Sequence, residues 1–130
     1  MTIATGSELY LVDSSGWIEF IGDGPKADAF GEFLVREDSL LVPSIVVYEV
    51  LKKLTLTRSD TALKRFVSHA FRSRQVAFDA ELAAAASRAS IEHHLAMADA
   101  IIYATARAYN AQLVTADPDF ANLPGVIIPP

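Results

Sequence analysis

Short apolar runs alternate with longer stretches of helical spacing from Leu9 to the carboxyl end. Tyr10–Val12 reads as a buried strand that stops at Asp13, and Ser14 or Ser15 can cap a first helix through Ile21. Gly22-Asp23-Gly24-Pro25 is a turn, and Pro25 is suited to open a second helix to about Arg36, with Phe30, Phe33 and Leu34 inside. Leu40–Val42 is a second strand, closed by Pro43. Ser44 then caps a helix from Ile45 to about Leu56. Ser59 or Asp60 caps the next, which carries Ala62, Phe66, Val67, Ala70 and Phe71 at helical spacing. Val76–Phe78 is a third strand, and Asp79 caps an alanine-rich helix. Met97–Tyr109 is a further helix, with Asn110 suited to its left-handed end. Gln112–Thr115 and Val126–Ile128 supply a fourth and a fifth strand.

Strands alternating with helices predict an α/β fold, a three-layer α/β/α domain on a short, mostly parallel sheet of about five strands. The strands are nearly all apolar, as strands covered on both faces must be. In such sheets ligands bind beyond the carboxyl ends of the strands. A chain of 130 residues reads as a single domain, 1–130, with residues 1–7 as a loose leader.

Against this pattern four acids stand out. Asp13 ends the first strand, Asp117 follows the fourth, and Glu49 and Asp99 sit among apolar neighbours near the starts of helices. Burying an unpaired charge costs several kcal/mol or more unless it is paired or binds metal. Two unit charges about 4 Å apart repel by roughly 4 kcal/mol at an effective dielectric of 20. A domain with ~5–15 kcal/mol of stability needs relief from several such terms. Protonation relieves part of the repulsion and a divalent cation more, and an all-oxygen donor set favours Mg2+ or Mn2+ over zinc. Magnesium commonly completes its coordination with water and substrate phosphates, which points to phosphoryl chemistry.

Composition narrows the picture. No apolar run approaches the ~20 residues of a membrane span, and no basic-then-apolar leader is visible. The chain lacks cysteine, which excludes thiolate metal sites and fits a cytoplasmic location. The net charge of −5 argues against generic nucleic-acid binding, yet seven of the 11 basic residues fall between positions 52 and 74. Lys52, Lys53, Arg58, Lys64, Arg65, Arg72 and Arg74 form either a phosphate-binding segment or a solvated helix surface. His69, His93 and His94 lack metal-ligand spacing and read as surface or helix-end residues.

Four segments in order resemble the successive motifs of PIN domains, above all the VapC-type toxins of toxin–antitoxin pairs. They are Leu11-Val12-Asp13-Ser14-Ser15, Pro43-Ser44-Ile45-Val46-Val47-Tyr48-Glu49-Val50, Ala98-Asp99-Ala100-Ile101-Ile102-Tyr103-Ala104-Thr105-Ala106, and Leu113-Val114-Thr115-Ala116-Asp117-Pro118-Asp119-Phe120. The resemblance implies a magnesium- or manganese-dependent endoribonuclease, usually a homodimer, held inactive by a cognate antitoxin protein. It places Asp13, Glu49 and Asp99 at the family's three most constant acids and Asp117 at the fourth. Thr115 and Ser14 are supporting hydroxyls, and Asp119 is a helper or a turn former beside Pro118, the latter being the favoured reading. The implied reaction is in-line attack of water on an RNA phosphodiester, leaving a 5′-phosphate and a 3′-hydroxyl.

Trp17, Phe20 and Ile21, with Phe30 and Phe33, either fill the core or form a groove for an amphipathic antitoxin segment. A PIN-like module that binds RNA or protein without cutting is the alternative function, and the intact acids oppose it. A phosphatase or receiver domain fits poorly, because Ser14-Ser15 follows Asp13 where a second acid belongs and no lysine occurs after Lys64.

Overall fold

The computed structural model describes residues 8–130; the leader expected over residues 1–7 lies outside them. In chain order the elements are β1 (Leu9–Val12), α1 (Ser14–Ile21), α2 (Ala27–Leu34), β2 (Leu40–Pro43), α3 (Ser44–Leu56) and α4 (Asp60–Ala70). Then follow β3 (Arg74–Val76), α5 (Ala80–His93), α6 (Met97–Ala108), β4 (Ala111–Val114) and β5 (Val126–Ile127). Two 3-10 turns, Glu37–Ser39 and Pro118–Phe120, complete the path.

The five strands form one sheet in the order β3-β2-β1-β4-β5, and every pairing is parallel. Tyr10 lies beside Leu40 on one side and Gln112 on the other. Leu11, Val12, Leu41, Val42, Leu113 and Val114 are fully buried, which is why these strands are apolar at consecutive positions. The chain steps from β1 outward to β2 and β3, then returns across the sheet to β4 and β5. Right-handed crossovers place helices from the outward steps on one face and those from the return on the other. Accordingly α1 to α4 pack among themselves and α5 packs with α6, while α3 also meets α6.

Several boundaries depart from the pattern-based reading. The second helix begins at Ala27, not Pro25, because the Lys26 N–H is held by the Glu19 carboxylate at 3.1 Å and the turn closes through Ala27 N to Gly24 O. The third strand is Arg74–Val76, two residues earlier than expected. It is an edge strand whose Arg74 and Gln75 face solvent, so apolar content did not mark it. Asp13 caps α1 in place of Ser14 or Ser15, accepting from Gly16 N, and Ser44 is the first residue of α3, not its cap. Phe71 falls beyond α4 and is exposed. Asn110 takes the left-handed conformation expected of it, with φ 54°.

Candidate metal centre

The order of strands reverses direction between β1 and β4, and crevices open at the carboxyl ends of strands where such a reversal occurs. Asp13 leaves β1 there, and Thr115 leaves β4 directly beside it; Asp13 N donates to Val114 O at 3.2 Å. The Asp13 carboxylate is buried and fixed from three sides. Its Oδ1 accepts from Gly16 N at 3.0 Å and from the Ser15 hydroxyl at 2.9 Å, and its Oδ2 accepts from the Thr115 hydroxyl. A carboxylate offers about four lone-pair positions, so three contacts leave Asp13 about one, on Oδ2, open to a further partner.

The remaining acids reach the same crevice from other elements. Glu49, one turn inside α3, receives the Ser14 hydroxyl on Oε1 at 2.8 Å. Thr115 also accepts the Asp117 N–H at 3.0 Å, so one hydroxyl ties the loop after β4 to Asp13. Asp117 in turn accepts the Asp119 N–H on Oδ1 at 2.9 Å and so caps the Pro118–Phe120 turn. That turn brings two carboxylates to Asp99 on the first turn of α6. One oxygen each from Asp99, Asp117 and Asp119 lie within 4.8 Å of one another.

The electrostatics follow from this crowding. Burial raises the Asp13 carboxyl above its ordinary value, and the Asp117 charge adds to the rise; hydrogen bonds from Thr115, Gly16 and Ser15 oppose it. Asp99 is raised from 3.8 to about 6, first by burial and then by the charges of Asp117, Glu49, Asp119 and Asp13. Asp99 thus feels the charge of all four other acids, and Asp13 that of Asp117. Among the described residues, no Lys, Arg or His nitrogen lies within 4.0 Å of any of their carboxylate oxygens. Asp13, Glu49 and Asp117 each spend at least one oxygen position on the fold and keep another open. An uncompensated all-carboxylate set with a few open oxygens fits a hard divalent cation that retains several waters.

The PIN domain family model matches residues 10–126, a span that includes all five acids and at least part of every strand. The chain belongs to the PIN-domain family. PIN domains are generally nucleases. Among solved structures, the chain is similar to a toxin–antitoxin complex from Klebsiella pneumoniae, with 22% identity, 93% of this chain and 98% of that chain covered, and a TM-score of 0.80. It is similar to the sarcin–ricin-loop-cleaving toxin VapC20 of Mycobacterium tuberculosis at 18% identity, covering 93% and 99%, with a TM-score of 0.73. It is also similar to VapBC2 of Rickettsia felis, bound to a DNA fragment from its promoter, at 22% identity, covering 92% and 96%, with a TM-score of 0.71. At these identities the likeness is one of fold. No curated protein matches the chain by sequence.

Within this PIN domain the structure gathers Asp13, Glu49, Asp99 and Asp117 with the hydroxyls of Ser14 and Thr115. It adds Asp119, which the sequence reading favoured as a turn former only. Of the two readings offered for the aromatics of the first helices, the structure takes core filling, and among the described residues no groove opens between α1 and α2. Trp17, Ile21 and Phe30 are buried, and Phe20 and Phe33 are half-buried. The reason is close helix packing at two glycines. A Cβ on Gly16 would sit 2.5 Å from Val12 Cγ1 and 2.8 Å from the Phe30 ring, and one on Gly31 would sit 3.0 Å from the Phe20 ring. His69 stands in the last turn of α4, a helix-end residue as read, but is half-buried and lies edge-on to Trp17 at 5.2 Å.

The basic segment disperses. Arg72 pairs with Glu37 at 2.8 Å, Arg65 donates to Ile21 O at 3.4 Å, and Arg74 lies over the Tyr109 ring at 5.2 Å. Arg74 opens β3 and Ile21 ends α1, so these contacts belong to the amino ends of the strands, away from the acids at the carboxyl ends. A groove of about 570 Å³ beside α5 and α6, lined by Arg88, His93, Tyr103 and Arg107, includes none of the five acids.

Proposed function

We propose that this PIN domain is a magnesium- or manganese-dependent endoribonuclease, the toxin of a VapC-type toxin–antitoxin pair. The observation that carries the reading is the convergence of five carboxylates at the switch point of the sheet without a cationic partner among the described residues. Asp13, Glu49, Asp99 and Asp117 would hold the cation, with Asp119 at the rim. Bound there, a divalent ion supplies Lewis acidity towards a phosphodiester oxygen and towards water. The chain's own groups keep the donors in place. Thr115 orients Asp13 Oδ2 and anchors the Asp117 backbone, Ser14 turns Glu49 towards the crevice, and Gly16 and Ser15 hold Asp13 Oδ1.

Toxin–antitoxin complexes among the similar structures support a protein antitoxin as partner, and the RNA-cleaving toxin among them supports RNA as substrate. A homodimer in the cytoplasm completes the proposal. No helix among the described residues is long and apolar enough to cross a membrane.

The test is cleavage of a mixed RNA pool by purified protein in magnesium, manganese, calcium or chelator. Cleavage in the first two only, lost in Asp13→Asn while the fold persists, is the expected pattern. Equal activity of Asp13→Asn and the parent would remove the assigned role.

A further inference from the structure

The exposed side of α3 carries a second feature beside the acids. Tyr48 precedes Glu49, so their Cα atoms are about 3.8 Å apart, yet Tyr48 is 58% exposed while Glu49 turns inward to Ser14. Tyr48 makes no ring–ring contact among the described residues. One turn on, Lys52 holds its Nζ 5.7 Å from the Tyr48 ring centroid. The i, i+3 spacing from Glu49 to Lys52 allows an ion pair, but among the described residues no carboxylate oxygen lies within 4.0 Å of that ammonium. One turn back, the Ser44 hydroxyl accepts the Phe78 N–H at 3.2 Å, and the Phe78 ring is 46% exposed. The exposed stripe Ser44, Tyr48, Lys52 thus presents an aromatic ring and, beside it, a cation without a carboxylate partner among the described residues, with a second aromatic near its upper end.

We propose that Tyr48 and Lys52 are the docking platform for an unpaired nucleotide of the RNA strand. A base stacks on Tyr48, and the adjoining phosphate meets Lys52. This rests on the endoribonuclease reading and adds where the strand is gripped. The chain carries a net charge of −5 and gathers five carboxylates at the crevice, so a polyanion needs a local attraction to approach. Stacking supplies one that is indifferent to sequence, since every base has a π face, and a neighbouring cation holds the backbone. Lys52 lies on the helix that supplies Glu49, whereas Arg65, Arg72 and Arg74 are engaged towards the amino ends of the strands.

The experiment measures binding of a labelled 12-nucleotide single-stranded RNA by fluorescence anisotropy, in chelator so that no cleavage occurs, with manganese-dependent cleavage read in parallel. Tyr48→Ala should weaken binding roughly ten- to a hundredfold. Tyr48→Phe should restore it, because the ring is kept. Lys52→Met should lower the slope of log affinity against log salt by about 0.7. Phe71→Ala, an equally exposed aromatic outside the platform, should match the parent. Unchanged binding by Tyr48→Ala overturns the platform, as does a Tyr48→Phe protein as weak as Tyr48→Ala. A Tyr48→Ala protein that binds normally but sediments as a smaller species makes the patch an interface between copies. Absence of cleavage by the parent, with the Tyr48 dependence of binding retained, refutes the nuclease reading and leaves the platform standing.

Discussion

Replacing Asp99 with Asn should make the metal-free protein more stable. The Asp99 carboxyl is raised from 3.8 to about 6 by burial and by four neighbouring acids. At 1.36 kcal/mol per unit this corresponds to roughly 3 kcal/mol of penalty on the charged form. Asp99 is only half-buried, and screening by water reduces the recoverable part to about 1 kcal/mol. The sign follows from proton binding. The folded chain holds the Asp99 proton more tightly than the unfolded chain, so stability falls as pH rises from about 4 to about 6 and stays lowered above that. The Asn variant does not titrate there. Its advantage should be complete above about pH 6.5 and fade as pH falls towards 4. For 130 residues it amounts to roughly 3–5 °C in Tm. Thermal melts in chelator at pH 7.5, 5.5 and 4 read it directly. Added magnesium should raise the Tm of the parent and narrow or reverse the difference, because a cation relieves the same repulsion. An Asn variant less stable than the parent at pH 7.5 in chelator would show that the five acids do not repel one another as described.

Thr115→Val removes the hydroxyl that serves both Asp13 and Asp117; a loss of about 1–3 kcal/mol in chemical denaturation is expected, together with weaker manganese binding, and an unchanged manganese affinity would deny Thr115 its positioning role. Gly16→Ala drives a methyl group into Val12 and Phe30 and should cost about 1–3 kcal/mol; an unaltered Tm would mean that α1 rests less closely on β1 and α2 than described. Asp117→Asn should depress cleavage more than Asp119→Asn, since Asp117 is half-buried and its charge acts on both Asp13 and Asp99, whereas Asp119 is exposed; the opposite order in initial rates would exchange their roles.

Much of this site is legible in the sequence because its acids break apolar runs. Asp13 ends Leu9–Val12, while Glu49 interrupts an apolar run just before buried Val50, and Asp99 one just before buried Ala100. Such positions are costly for a charge, so the charge itself is the signal. Asp119 lacked that signal. It is exposed, follows Pro118 and satisfies a turn, and only the Asp117 cap shows that the turn also aims its carboxylate at Asp99. The aromatics of α1 and α2 were ambiguous for a different reason. Spacing does not reveal how near two helices approach, and Gly16 and Gly31 let these close completely over Trp17 and Phe30. Charge counting likewise cannot separate paired cations from free ones. Arg72 and Arg74 count alike with Lys52 and Lys53, yet of these only the two lysines lie on the helix that contributes Glu49 to the crevice.

Manganese binding followed by calorimetry in buffers of different ionisation enthalpy tests the central claim most directly. A cation that settles among these carboxylates must displace the proton Asp99 holds with its value near 6. At pH 5.5 the parent should release about three-quarters of a proton or more per cation bound, and at pH 7.5 almost none. Asp99→Asn should bind weakly and release correspondingly less. No binding by the parent, or tight binding at pH 5.5 without proton release, would contradict a cation site built from these five acids.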